Sequence, residues 1–185
     1  MAPIIDLVNH GLGPSLQGAD GILLQGLFPN EIVTRYGPTD PLGIFNGWGF
    51  ASSCEVFALS IGFRLKSASG SLVIGRRDPV FAPGRNGFVP EVTVTGDEIT
   101  LSHLLLGHRR FPKLPRGIFY RLMCDVGRDD AEATFDLLQH INRTALHQLA
   151  SAAEGAVPRL RHLVRSLAGY QLEAMSYNIG ASETM

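Results

Sequence analysis

The apolar and polar positions change period once along the chain. In the first half, apolar residues recur in short runs bounded by Gly, Pro and Asn. "FALSIGFRL" has strict period two, with Phe57, Leu59, Ile61, Phe63 and Leu65 on one face, and predicts one half-buried strand. "VTVTGDEITL" predicts a hairpin whose loop is Gly96-Asp97. "GILLQGLF" and "EIVTRYG" are apolar-rich runs separated by the turn dipeptide Pro29-Asn30, and "RRDPVFAPGRNGFVP" reads as an irregular loop. Past Arg110 the period becomes helical. "LPRGIFYRLMCDVG" predicts a short helix beginning after Pro115. Asp129 and Glu132 have capping-box spacing, and Phe135, Leu138, Ile141, Ala145 and Leu149 then follow at helical intervals, with Gly155 as a stop. Pro158 suits the first turn of a last helix with a buried stripe of Leu160, Leu163, Val164 and Leu167, ending near Gly180. Two amphipathic helices joined by so few residues are expected to pack antiparallel. Strands first and helices last predict an α+β fold. Short strands and loops occupy residues 1–110, and a helical region occupies residues 111–185.

Composition narrows the class of protein. The 185 residues are 45% hydrophobic and 18% charged, enough to build a core without long disordered segments. A formal net charge of -1 gives no overall field toward nucleic acid or anionic lipid, so neither is an expected partner. The apolar runs, "HLLLGH" among them, are too short to cross a bilayer, and the start shows no basic-then-apolar signal. Cys54 and Cys124 lie outside any CxxC or metal-type spacing, which predicts reduced thiols and a cytoplasmic protein. The "NRT" sequon at Asn142 therefore carries little weight. His103 and His108, like His140 and His147, lack Cys or acidic neighbours at ligand spacing. They read as core or solvated side chains, and no metal is expected. Arg159, Arg161 and Arg165, with His162, form a basic face that is either solvated or docks an acidic partner. "GLGPSLQG" lacks the Lys of a phosphate loop, and no Gly-x-Ser-x-Gly elbow surrounds "SLVIG".

The candidate chemistry begins with "IIDLVNHG", where Asn9 and His10 stand between an apolar run and a glycine. Two further pieces follow in order, "NEIVTRYGPTD" and "GIFNGWGFAS". The ordered trio resembles the C-terminal half of a SET domain, in the subgroup of the Rubisco large-subunit lysine methyltransferase. That family pattern is a D-x-x-N-H segment, a strand ending in Tyr-Gly, and a helix ending in Tyr-Gly-Phe. The match covers residues 3–62, and the helical tail more loosely resembles the substrate-binding region that follows SET. Two positions depart from the pattern: Trp48 replaces the usual Tyr, and Pro29-Asn30 replaces the usual Gly-Glu. The family's Gly-x-Gly cofactor segment would precede the matched motifs, and residues 1–3 leave no room for it. The expectation is a partial SET fold that is truncated, or inactive alone.

The resemblance implies an S-adenosylmethionine-dependent transfer of methyl to a protein lysine. It makes Tyr36 the catalytic tyrosine and puts Asn9 and His10 at the cofactor, with Asp6 steadying their loop. It places Phe50, with Trp48 beside it, along the lysine channel. Without the resemblance, each residue keeps a plainer reading. Tyr36 closes a strand before a Gly-Pro turn, Asn9-His10 is a hydrogen-bonded polar turn, and Trp48 and Phe50 are core residues. The non-catalytic alternative is a protein-binding or scaffold module derived from a SET protein. Missing N-terminal strands would leave sheet edges open, which makes a homodimer paired through those edges a further expectation.

Overall fold

The computed structural model describes residues 9–15, 17–18, 21–22, 33–35, 39–53, 55–67 and 70–176, those before residue 39 through their backbone. The fold is α+β. Four short strands come first: β1 (Asn9–Ser15), β2 (Gln17–Gly18), β3 (Gly21–Ile22) and β4 (Val33–Arg35). Helix α1 (Pro41–Trp48) separates them from β5 (Phe57–Leu59), β6 (Phe63–Ser67), β7 (Gly70–Ile74), β8 (Val92–Thr95), β9 (Glu98–Leu101) and β10 (Leu105–His108). Helices α2 (Leu114–Asp125), α3 (Ala131–Ala152) and α4 (Pro158–Ser176) complete the described chain.

The strands form small sheets. β6, β7, β9 and β8 lie side by side in that order, with β7 and β9 parallel and both outer pairs antiparallel. The β8–β9 pair is the expected hairpin around Gly96-Asp97. β5 pairs antiparallel with β10, and β1 pairs parallel with β4. "FALSIGFRL" is thus two strands in two sheets, where its period predicts one. The break has a physical cause: the Ser60 amide bonds Leu104 O and the Ile61 amide bonds the Asn142 carboxamide, so the chain leaves one ladder before entering the next. Asn9-His10 differs as well, because the pair opens an extended strand where a polar turn was the plainer reading.

The helices pack over the four-stranded sheet around one main core. Leu72, Ile74, Ile99 and Leu101 from the sheet meet Phe119 and Met123 of α2, Phe135 and Leu138 of α3, and Ala174 and Met175 of α4. This core draws on both sides of residue 110, so the change of period there marks a change of element type within one cluster. Helix α2 begins at Leu114, with Pro115 inside its first turn, where the sequence predicts a start after Pro115. The capping box does not form: Asp130 is the cap residue of α3, and its carboxylate pairs with Arg128 (2.5 Å). The buried stripe of α3 is Ala131, Thr134, Phe135, Leu138, Asn142 and Leu146, while Leu149 is exposed. On α4 the buried positions are Leu167, Ala168, Gln171, Ala174 and Met175, and Leu160 is exposed. The stripe expected on α4 sits too early because the first turns of this helix overhang the core. Close approach fixes the other end: a Cβ on Gly107 would lie 2.1 Å from the Ala174 carbonyl oxygen, so β10 and α4 pack backbone to backbone. Asn142 is 1% exposed inside this core, which closes its sequon to modification. Among the described residues, no helix is long and apolar enough to cross a membrane.

Candidate functional site

The strand pairing nearest the chain's start brings the first two sequence motifs together. In the parallel β1–β4 ladder Asn9 faces Val33 and His10 faces Thr34, after which the register shifts so that Ser15 faces Arg35. Tyr36, next in the chain after Arg35, and Asp6 lie outside the described residues.

The third motif is built on α1. Asp40 caps the helix by accepting from the Gly43 amide (2.9 Å), and Pro41 occupies the first turn. Gly49 ends it at φ 77°, a left-handed conformation that glycine adopts without strain, and its amide bonds Phe45 O (2.8 Å). Trp48 is therefore the last helical residue. It is 51% exposed, which removes it from the core, and Phe50 just beyond is half-buried.

What holds α1 in place is the Asp40 carboxylate, which is fully buried. Besides the cap bond it accepts from the Leu59 amide (2.9 Å), from Gln171 Nε2 (2.7 Å), and from both terminal nitrogens of Arg76. Helix α1, strand β5, the segment after β7 and helix α4 thus converge on one charge. Nearby, Asn142 repeats the device without charge, bonding Ile61 N, Ser60 Oγ and Leu138 O. Asp40-Pro41 was not singled out in the sequence, although it has the cap-then-proline order of a helix start. Arg76, Asn142 and Gln171 carry no local signal, because the partners of each lie far away along the chain.

An open cleft of about 1000 Å³ runs beside α2. Its apolar wall is Val89, Phe111, Leu114, Ile118 and Leu122, and its rim carries Arg110, Lys113 and Arg121. Leu114 and Ile118 rest on the small cluster of Phe57, Leu59 and Leu105. Phe88 meets Phe81, Phe57 and His108 edge-on at 4.9–5.2 Å, and His108 lies 5.0 Å from Phe111. The His108 Nδ1 accepts the amides of Arg110 (3.1 Å) and Phe111 (3.2 Å), which fixes the turn that presents both side chains. Burial, with the Arg110 charge added, pushes the His108 pKa down, so the ring is held neutral as this bonding requires.

A smaller recess of about 70 Å³ lies among Arg77, Arg85, Glu91, Ser102 and His103. Arg77 (2.7 Å) and Arg85 (2.9 Å) both donate to Glu91, and these bonds and charges hold its carboxyl below the usual range. Ser102 Oγ lies 3.0 Å from His103 Nδ1 and accepts the Glu91 amide (2.9 Å). Among the described residues, no carboxylate bonds His103 Nε2 to orient this serine–histidine contact. Burial lowers the His103 pKa, as at His108. His140 and His147 are exposed on α3. Among the described residues, no group of three or more His, Cys, Asp or Glu could hold a metal ion. On the basic face of α4, Arg165 pairs with Glu154, Arg161 bonds the Ala156 carbonyl (3.1 Å), and Arg159 and His162 are exposed.

No protein-family model matches the chain, nor does any curated protein or solved structure.

Proposed function

We propose that the chain carries the C-terminal half of a SET-type protein-lysine methyltransferase, followed by a helical region for the substrate protein. One observation carries this reading: the parallel β1–β4 pairing, which lays Asn9 and His10 beside the strand that leads directly into Tyr36. The helix ending at Trp48-Gly49-Phe50 supports it as the third piece of the motif.

S-adenosylmethionine, when bound, supplies a methyl group activated on a sulfonium. The chemistry of the residues present fits that group: Asn9 offers both donors and an acceptor for its amino-acid end, and β1 at His10 offers main-chain groups for its adenine. Asp6 steadies this segment. Tyr36 orients the lysine amine through its hydroxyl. Phe50 and Trp48 line the approach, where an apolar wall disfavours the ammonium and leaves a nucleophilic amine. Alignment of this kind lowers a barrier by about 7–11 kcal/mol in favourable cases, whereas C–H···O contacts to a methyl chiefly set geometry.

Calorimetric titration with S-adenosylmethionine tests the reading. A saturable one-to-one heat, weakened about tenfold or more by Asn9→Ala, is expected. Heat no larger than dilution overturns methyl transfer for this chain and leaves the second reading, a non-catalytic protein-binding module. The cleft beside α2 favours that alternative, because it is complete without Asp6, Asn9, His10 or Tyr36. A homodimer through open sheet edges belongs to the same proposal. β8 is an edge strand on which Val92 and Val94 are exposed, and sedimentation showing only monomer at micromolar concentration would remove it.

A further inference from the structure

Around the cleft beside α2, apolar surface and positive charge occur together. Phe111 is 59% exposed and Val89 is exposed in the same cleft, while Val80, exposed as well, lines the neighbouring recess together with Val89. Exposed aromatic and aliphatic groups that are contiguous rather than scattered mark a binding surface. The charges point the same way. Arg64, Arg109, Arg116 and Arg165 each face a carboxylate. Arg110, Lys113 and Arg121 line the cleft with no carboxylate at salt-bridge distance among the described residues. Asp125 is the single acidic residue of the lining. The rim thus has excess positive charge above an apolar floor.

We infer that this cleft docks a short acidic peptide segment of a partner protein, its aromatic or leucine side chains on the floor and its carboxylates at Arg110, Lys113 and Arg121. The shape agrees. The cleft is an open groove of about 1000 Å³, at the upper end of small-molecule pockets and wide enough for several side chains. Its wall is the exposed face of α2, a rigid element with Phe119 and Met123 anchored in the core. An apolar anchor in a groove gives such a complex its affinity, and complementary charge on the rim gives orientation and on-rate. The inference stands under either reading of function and uses none of the methyl-transfer residues.

A random 12-residue peptide library displayed on phage, selected against the full chain, is the direct test. Selected peptides are expected to combine Asp or Glu with Leu, Phe or Trp. Synthetic copies, followed by fluorescence anisotropy, are expected to lose about tenfold or more in affinity against a Lys113→Glu/Arg121→Glu variant and little against Arg159→Glu. Both rim positions are exposed, so an unchanged melting midpoint separates lost binding from lost fold. Selection without acidic enrichment, no selection, or equal binding by the double variant overturns the inference. So does saturable binding of dodecanoate at Phe111 without peptide selection, which gives the cleft to a small amphiphile. A dimer dispersed by the double variant likewise gives it to a second copy of this chain.

Discussion

Asp40 and Glu91 are both carboxylates gripped by arginine, in opposite surroundings. Asp40 is fully buried and ties α1, β5 and α4 to Arg76, whereas Glu91 sits half in water between Arg77 and Arg85. The chemistry is similar, but the consequence of removing each differs. A buried charge stripped of its partner stays desolvated, and a surface charge is simply rehydrated. The Asp40 bonds therefore fix the start of α1, the helix that ends at Trp48. The loop bearing Arg77, Arg85 and Glu91 is held by ties that water and salt weaken.

The largest test of this contrast is Asp40→Ala. It leaves Arg76, Gln171 and two amides without their acceptor, and urea unfolding is expected to show a loss of about 3–5 kcal/mol. Asn142→Ala comes next. It frees the Ile61 amide at the break between β5 and β6, at a cost of about 1–3 kcal/mol in the same assay. The histidines give a smaller, pH-dependent effect. Burial lowers the pKa of both His103 and His108 from 6.5, so the folded state binds fewer protons than the unfolded chain. Their stabilising contribution is full above pH 6.5 and is lost as pH falls toward the lowered folded values. The slope is at most about 1.4 kcal/mol per pH unit for each ring, and replacing both with Gln should flatten it. Glu91→Gln is the smallest effect: a slight drop in melting midpoint at low salt that disappears at high salt. A Glu91 variant as damaging as the Asp40 variant would break the comparison.

The α+β class was legible because period two and helical period occupy different halves of the chain. The β8–β9 hairpin was readable from its turn residues, and α1 only through the resemblance, as the helix that ends at Trp48-Gly49-Phe50. What stayed hidden was set by partners distant in sequence. The split of "FALSIGFRL" depends on Asn142, the grip on α1 depends on Arg76 and Gln171, and the buried stripe of α4 depends on where Gly107 lets β10 approach. Of the candidate site, Asn9 and His10 were found beside β4 and Trp48 and Phe50 at the end of α1. The cleft escaped notice because residues 86–89 and 110–125 meet only in the fold.

The proposed methyl transfer requires Tyr36 to act together with Asn9 and His10. Radiolabelled methyl transfer from S-adenosylmethionine to lysine-bearing protein substrates, comparing the chain with its Tyr36→Phe variant under conditions where the site is complete, tests it most directly. The account predicts loss of transfer by about 100-fold or more with an unchanged melting midpoint. Equal transfer by both proteins would contradict it.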